Sequence, residues 1–350
     1  MTGIVNINGR IIGDDYPPYI VAELSANHNG DLHNAIKLIE VAKDCGADAV
    51  KLQTYTPDTM TIDCDNDEFM INEGLWSGRT LYELYKEAFT PWEWHQELFN
   101  KANELGITIF STPFDSTSVD FLEKLNVPAY KIASFEINDV NLIKKVALTG
   151  KPVILSTGMA NYNEINTAVT VLKNNNCFDI CLLHCVSGYP THYDEINLQT
   201  IKDMKKSFDV VVGLSDHTLE KIVPISAVAA GASVIEKHLT LSRSNAGPDN
   251  SFSIEPDELK EMVNNVKKTW KVMGKVDYDL KESEKENIKF RRSIYAVKDI
   301  IKGDKFTESN IASIRPGFGL HPQYYSLLIG KTSKRDMLRG TPLNLNDIDK

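Results

Sequence analysis

Two apolar stretches of this sequence end in groups able to bind ions or move protons. In VVVGLSDHT (210–218) three valines are followed by Ser215, Asp216 and His217. In ASVIEKHLT (232–240) the run closes with Glu236, Lys237 and His238. Two more stretches hold a lysine in apolar surroundings, Lys51 in DAVKLQTY (48–55) and Lys131 in AYKIAS (129–134). Burying an ammonium without an anion is costly. Lys51 and Lys131 therefore imply either carboxylate partners, with Glu23 and Glu236 available, or a bound anion. The anion is the preferred reading, because two lysines with several hydroxyls and strand-end amides have the chemistry of a phosphate cradle. A lone strand-end Ser or Thr, by contrast, is more often a cap or turn residue. His217 and His238, with Glu23 one strand further round, form a candidate divalent-metal site with open positions. Imidazole and carboxylate together suit Mn, Fe, Zn or similar ions. Asp216 or Glu236 is expected to orient the imidazoles as outer hydrogen-bond acceptors.

These groups need elements that bring them to one place. Eight strand-like runs lie at 19–27, 48–55, 107–114, 129–134, 152–158, 179–187, 209–217 and 233–240. Most are continuous in Val, Ile and Leu, as parallel strands covered on both faces are. Amphipathic stretches separate them. Residues 32–46 read as a helix stopped by Gly46. Residues 90–106 read as a helix with Thr90 as N-cap, Pro91 at the first helical position and Gly106 as its stop. Further helices are expected at 161–176 and 253–274. Eight strands alternating with helices predict a (β/α)8 TIM barrel, whose active site lies at the carboxyl ends of its strands. Those ends supply Glu23, Asn27, His28, Lys51, Gln53, Ser111, Thr112, Lys131, Ser134, Ser156, Thr157, His184, Ser187, Tyr189, Ser215, Asp216, His217, Glu236 and His238. The connection 56–89 is too long for a simple turn and is expected to build a lid or substrate wall on the mouth. After Gly274 the composition changes. KESEKEN (281–287) reads as a solvated linker, and the last 60 or so residues read as a small β-rich module. The expected division is a barrel over 1–280, a linker over 281–290 and a second domain over 291–350.

The chain has 350 residues and a formal net charge of −10. That balance argues against non-specific nucleic-acid binding and against an anionic membrane surface. A local cluster of lysines still permits small anionic substrates. The N-terminus has no apolar signal core, and no run reaches the ~18 apolar residues of a membrane span; a cytoplasmic protein is expected. The five cysteines include no CxxC pair and are expected as buried, reduced thiols. Cys181 and Cys185 fall on one strand-like run, where four residues span roughly 13 Å, too far for a shared thiolate metal site.

At this point the chain resembles a known family. AELSANHNGD (22–31), GADAVKLQTY (46–55), FSTPFD (110–115), YKIASFE (130–136), ILSTGMA (154–160), LLHCVSGYP (182–190), GLSDHT (213–218), IEKHLTL (235–241) and IRPGFGLHP (314–322) occur in the order found in the sialic acid synthase family, the phosphoenolpyruvate-dependent nonulosonic acid synthases. The resemblance covers nearly the whole chain, and its end resembles an antifreeze-like (SAF) domain. It implies an enzyme, a carbon–carbon bond-forming transferase that condenses phosphoenolpyruvate with an acetamido sugar for a cell-surface glycan. By the same resemblance, Lys51, Thr112, Lys131, Ser134, Ser156, Ser187 and Ser215 surround phosphoenolpyruvate. Ser187 stands where relatives often carry Asn, a departure at a phosphate contact. Gln53, Tyr189, Asp249 and Arg315 meet the sugar, with Arg315 delivered to a neighbouring subunit in a domain-swapped homodimer. His217 and His238 would hold a divalent metal cofactor, Mn2+ first, with Mg2+ or Co2+ as alternatives. Glu23, His217 and His238 are the expected catalytic set, Glu23 orienting water or a sugar hydroxyl.

Within the family, LSANH, YTPDTMT and GLWSGRTLYELYKEAFTPWEWH (74–95) resemble the branch that takes 2,4-diacetamido-2,4,6-trideoxy-L-altrose. The precursors of N-acetylneuraminic and legionaminic acid, or that of a spore-coat polysaccharide relative, are the alternative sugars. Two further readings come from other classes. One is an aldolase using Lys131 or Lys51 as a Schiff base. The other is a non-catalytic sugar-binding barrel, which the intact His217 and His238 pair argues against.

Overall fold

The computed structural model describes residues 3–349. Met1, Thr2 and Lys350, at the ends of the expected domain ranges, lie outside the described residues. The chain divides into two compact units, Met1–Gly274 and Lys275–Lys350.

The first unit opens with a hairpin of β1 (Val5–Ile7) and β2 (Arg10–Ile12). Asn8 and Gly9 turn it with φ of 52° and 82°, the positive values a tight hairpin turn requires. Eight parallel strands follow: β3 (Tyr19–Glu23), β4 (Ala49–Thr54), β5 (Thr108–Pro113), β6 (Tyr130–Ile132), β7 (Val153–Ser156), β8 (Ile180–Cys185), β9 (Val211–Asp216) and β10 (Val234–His238). They close into a barrel, β10 pairing with both β9 and β3. The outer helices are α1 (Leu32–Asp44), α2 (Pro57–Met60), α3 (Leu81–Ala88), α4 (Trp92–Leu105), α5 (Ser116–Lys124), α6 (Val140–Ala147), α7 (Tyr162–Asn174), α8 (Gln199–Phe208), α9 (Ile222–Ala229) and α10 (Pro256–Met273). The fold is the (β/α)8 barrel that the alternation predicts.

Local chemistry sets the helix ends. Asp31, Asp115, Asp139 and Asn161 accept hydrogen bonds from the first free amides of α1, α5, α6 and α7. Gly106 ends α4 in the left-handed conformation, φ 63°. Thr90 is not the cap of α4. Pro91 occupies that position, and the Thr90 hydroxyl instead meets His28 Nε2 at 3.2 Å.

Alternation along the strands separates two cores. Side chains of one parity face the helices and pack in a large cluster that includes Ile20, Val50, Ile109, Ile132, Leu155, Leu182, Leu214 and Ile235. Those of the other parity fill the lumen. Its lower part holds Tyr19, Val21, Ala49, Phe110, Ala129, Ile154, Leu183, Val211 and Val234, with Val5, Ile7 and Ile12 of the hairpin packed against them. Further along each strand the same parity delivers Glu23, Lys51, Thr112, Lys131, Ser156, Cys185, Ser215 and Glu236, two residues on in every strand but β9, where Gly213 intervenes between Val211 and Ser215. Parity also corrects the mouth expected above. Ser111 bonds Thr54 at 2.6 Å, and Thr54 meets His95 of α4 at 2.8 Å. His184 donates to the Ile196 carbonyl, and Asp216 pairs with Lys237 at 2.6 Å. These polar residues serve the strand–helix layer.

The second unit holds an exposed 3-10 stretch, Glu282–Phe290, where a linker was expected. The antiparallel pair β11 (Ser293–Ala296) and β12 (Ile311–Ile314) and the short α11 (Tyr325–Leu328) follow. Ile294, Ala296, Ile300, Phe306, Ile311, Leu328, Met337 and Leu343 form its own core.

Lumen packing leaves no space at Gly213. A β-carbon there would lie 2.4 Å from the Val234 carbonyl oxygen and 2.7 Å from Leu183 Cδ2. The backbone oxygen cannot move without breaking the barrel ladder. Gly213→Ala is expected to lower stability by about 2 kcal/mol or more, read as a drop in the urea midpoint of the full chain.

Candidate active site

The inward residues at the upper end of the barrel form a charged floor. Lys51 Nζ lies 2.8 Å from Glu23 Oε2 and 3.3 Å from Glu236 Oε1. Lys131 Nζ lies 3.1 Å from the same Glu236 oxygen, and Ser215 donates to it at 3.0 Å. All four ionisable groups are buried. Register makes this possible: Glu23 sits beside Lys51 on β4, and Glu236 beside Ser215 on β9. Both lysines therefore have carboxylate partners, the reading placed second on sequence grounds. Burial pushes the Lys51 ammonium down to about 7, with the Glu236 charge opposing it. Burial alone would raise the Glu236 carboxyl; Lys131 and Lys51 outweigh that and hold it below the usual carboxylate range.

Hydroxyls line the wall beside this floor. Lys51 donates to Thr112 Oγ1 at 3.3 Å, so Thr112 stands behind the lysine. Ser134 Oγ accepts from the Gly158 amide at 3.1 Å. A β-carbon on Gly158 would fall 2.2 Å from Ser187 Oγ and 2.7 Å from Ser134 Oγ, so the two hydroxyls converge over this glycine. Ser156 faces the cavity with a buried hydroxyl that has no partner among the described residues. An anion with several oxygens would satisfy these donors at once.

The two imidazoles stand at the rim with ring centroids 5.4 Å apart. His217 Nδ1–H donates to the Val186 carbonyl at 3.0 Å, which leaves the Nε2 lone pair free. His238 Nδ1 is buried and unpartnered among the described residues. Burial holds the His238 imidazole well below its ordinary value, so it is neutral and able to ligate. The pair thus suits a divalent ion with open positions. Three details differ from expectation. The Val186 carbonyl, and neither Asp216 nor Glu236, orients His217. Glu23 does not join the pair: its Oε1 accepts from Ser25 N at 3.1 Å and Gln53 Nε2 at 3.2 Å, and its Oε2 faces Lys51. Among the described residues no group of three or more His, Cys, Asp or Glu converges as a metal set.

The opposite wall is a mixed polar and aromatic surface. Gln53 and Asp249 line it, tied through Ser25. The Tyr189 ring lies 4.4 Å from His217, 5.1 Å from Phe252 and 5.7 Å from Trp76. Trp76 belongs to the long connection after β4 and donates to the Pro248 carbonyl at 2.9 Å. That connection also contributes Met60, Leu84, Tyr85 and Ala88 to the cavity, as a substrate wall should. Arg315 lies in the second unit, exposed just after β12. Sequence reasoning missed Ser25, Trp76, Glu136 and Phe252. Glu136 lines the cavity with one carboxylate oxygen buried and unpartnered among the described residues, and burial pushes its carboxyl up to about 7. Its position within YKIASFE was the available signal; Trp76 could have been found as the large aromatic of the wall insertion.

Paired buried lysines, a hydroxyl cradle and two imidazoles thus meet at the carboxyl mouth of a parallel barrel, the place where TIM-barrel enzymes hold their active sites. The NeuB family model matches residues 38–278, and a SAF domain model matches residues 291–349. The chain belongs to the NeuB family, that of the sialic acid synthases, and is a sugar-condensing synthase of the transferase class. It is 46% identical over 333 residues to the pseudaminic acid synthase of Campylobacter jejuni subsp. jejuni serotype O:2, covering 95% of this chain and 97% of that protein. With the N,N'-diacetyllegionaminic acid synthase of the same bacterium it shares 38% over 321 residues, 91% of this chain and 96% of that one. A crystal structure of the N-acetylneuraminic acid (sialic acid) synthetase of Leptospira borgpetersenii serovar Hardjo-bovis, in complex with citrate, superposes with a TM-score of 0.75 at 34% identity, covering 83% of this chain and 97% of that one. Among the described residues no helix is long and apolar enough to cross a membrane.

Glu236 is the anion that both lysines share. Removing one partner of a buried ion pair destabilises by about 3–5 kcal/mol, because the remaining charge stays buried. Glu236→Gln is expected to show a loss of that order in urea unfolding. Adding Lys131→Met, which leaves Lys51 with Glu23, should recover part of it in a double-mutant cycle.

Proposed function

We propose that the chain condenses phosphoenolpyruvate with 2,4-diacetamido-2,4,6-trideoxy-L-altrose, giving pseudaminic acid and phosphate. The observation that carries the choice of sugar is the greater similarity to a pseudaminic than to a legionaminic acid synthase from one bacterium. Met60, Leu84, Ala88 and Phe114 line the cavity with hydrocarbon suited to the acetamido methyls and deoxy carbon that such sugars share.

In this reading Lys51, Lys131, Ser134, Ser156, Ser187 and Ser215 hold the carboxylate and phosphate of phosphoenolpyruvate, with Thr112 steadying Lys51. Gln53, Tyr189 and Asp249 hold the open-chain sugar. His217 and His238 would hold a divalent ion, Mn2+ in preference to Mg2+ or Co2+, whose chemistry when bound is Lewis-acid polarisation of the aldehyde. The enol π electrons form a bond from C3 of phosphoenolpyruvate to the aldehyde carbon, whose oxygen takes a proton. Water adds to the cationic C2. The bond from C2 to the phosphate oxygen then breaks, leaving a C2 ketone and inorganic phosphate. Lys51 and Lys131 stabilise the departing charge in a dry site. Glu23 keeps Lys51 and Gln53 in place and orients water or a sugar hydroxyl by proton exchange. The same reading makes the chain a cytoplasmic, domain-swapped homodimer in which Arg315 serves the cavity of the second copy.

Phosphate release tests the assignment. The protein is given phosphoenolpyruvate and Mn2+ with the altrose sugar, N-acetylmannosamine or the legionaminic precursor. Release is expected with the altrose sugar and is expected to stop in a chelator. Release with N-acetylmannosamine alone overturns the sugar; release with none overturns the activity. His217→Ala should lower the rate at least a hundredfold while leaving the circular dichroism spectrum and melting temperature near the parent's. Turnover at the parental rate in that variant would remove His217 from the reaction.

A further inference from the structure

The loop after β3 holds a serine in a backbone conformation that serine avoids. Ser25 has φ 44°, in the left-handed region, and is only 3% exposed. A non-glycine residue there is strained by the approach of its β-carbon to the following carbonyl oxygen, a strain that persists only where the surroundings over-determine it. Here the surroundings are Glu23 of the charged floor and Asp249 and Gln53 of the opposite wall. The Ser25 amide donates to Glu23 Oε1 at 3.1 Å. Its hydroxyl donates to Asp249 Oδ2 in a short hydrogen bond and accepts from Gln53 Nε2 at 3.0 Å. One hydroxyl thus joins the ends of β3 and β4 to the loop after β10, which carries Asp249. Ser25, Gln53 and Asp249 all line the cavity. Among the described residues, neither Asp249 Oδ1 nor Gln53 Oε1 has a hydrogen-bond partner, so both acceptors are open to a ligand.

We propose that Ser25 is a positioning residue: its hydroxyl locks Asp249 and Gln53 into one pair that receives the hydroxyl and amide donors of the sugar, while the phosphoenolpyruvate half of the site is independent of it. The proposal rests on the assignment of an acetamido sugar to this wall. Without the Ser25 donor, the Asp249 carboxylate has only the Ala26 amide at 3.4 Å to hold the same oxygen. The loop would keep its path, but the acceptor pair would lose its fixed spacing. The strained φ is the structural signature of this role, since glycine would hold the turn without strain and without the link.

Two variants separate positioning from folding. Ser25→Gly removes the hydroxyl and relieves the backbone, so its melting temperature should equal or exceed the parent's. Ser25→Ala removes the hydroxyl and keeps the strain. Both are expected to raise the KM for the sugar about tenfold, the worth of one charge-assisted hydrogen bond, with the KM for phosphoenolpyruvate within about twofold of the parent's. Calorimetric titration of the sugar without phosphoenolpyruvate, where no turnover occurs, should weaken by the same factor. An unchanged sugar KM and affinity in Ser25→Gly overturns the proposal. So does a parallel loss in both KM values with a lowered melting temperature, which marks a structural serine. The kinetics use whichever sugar the parent converts. Failure of the altrose sugar therefore falls on the assigned substrate, and failure of the KM split falls on Ser25.

Discussion

Four buried charges, Glu23, Lys51, Lys131 and Glu236, are the constraint on which this site depends. Each is expensive to bury alone, and the effective penalty remains several kcal/mol per ion even after relaxation. The barrel meets it by placing the carboxylates and ammonium groups on β3, β4, β6 and β10 at one height in the lumen, with every charge within 3.3 Å of an opposite one. The arrangement balances as two cations against two anions. A packed hydrocarbon layer of the same volume would serve stability as well or better, so the cluster is retained for chemistry. It holds two ammonium groups, already desolvated and oriented, beside a wall of hydroxyls of which Ser156 has no partner among the described residues.

The strand parity that creates this layer also organises everything around it. Inward positions step from apolar to charged two residues at a time, as Val21 to Glu23, Ala49 to Lys51, Ala129 to Lys131 and Val234 to Glu236. The hairpin seals the apolar end with Val5, Ile7 and Ile12. The polar end therefore faces the cavity and has a low-dielectric layer beneath it, the setting in which fixed charges act most strongly. Outward positions one residue away, Ser111, His184, Asp216 and Lys237, are just as polar in sequence but find their partners outside the lumen: Ser111 bonds Thr54, His184 the Ile196 carbonyl, and Asp216 pairs with Lys237.

This explains what could be read without coordinates. The eight strands and their order were legible because parallel strands are continuous apolar runs, and Lys51 and Lys131 stood out against them. The lumen-facing site residues followed from their place at strand ends. Counting parity from Lys51 or Glu236 would have sent Asp216 and His184 outward, and that step uses only the period of two. The hairpin was missed although Asn8-Gly9 between alternating residues is its signal. Thr90 looked like a cap because its type and position fit one; tertiary contact with His28 decided otherwise. Ser25 was not legible, because nothing in a serine's identity announces a left-handed backbone.

The two substrates are read by different kinds of structure. Phosphoenolpyruvate would meet residues on strands or on the first turns after them, whose positions the barrel ladder fixes. The sugar would meet Gln53 at the end of β4 and, beyond the strand ladder, the connection after β4 and the loop after β10. These loops hold each other instead: Trp76 reaches across to Pro248, one residue from Asp249, and Ser25 pins Asp249 from below. A wall built from mutually braced loops can change its sugar by substitution in the loops alone, while the charged floor and its reaction stay as they are. Under the proposed assignment, that separation would let one barrel serve synthases named for different nonulosonic acids.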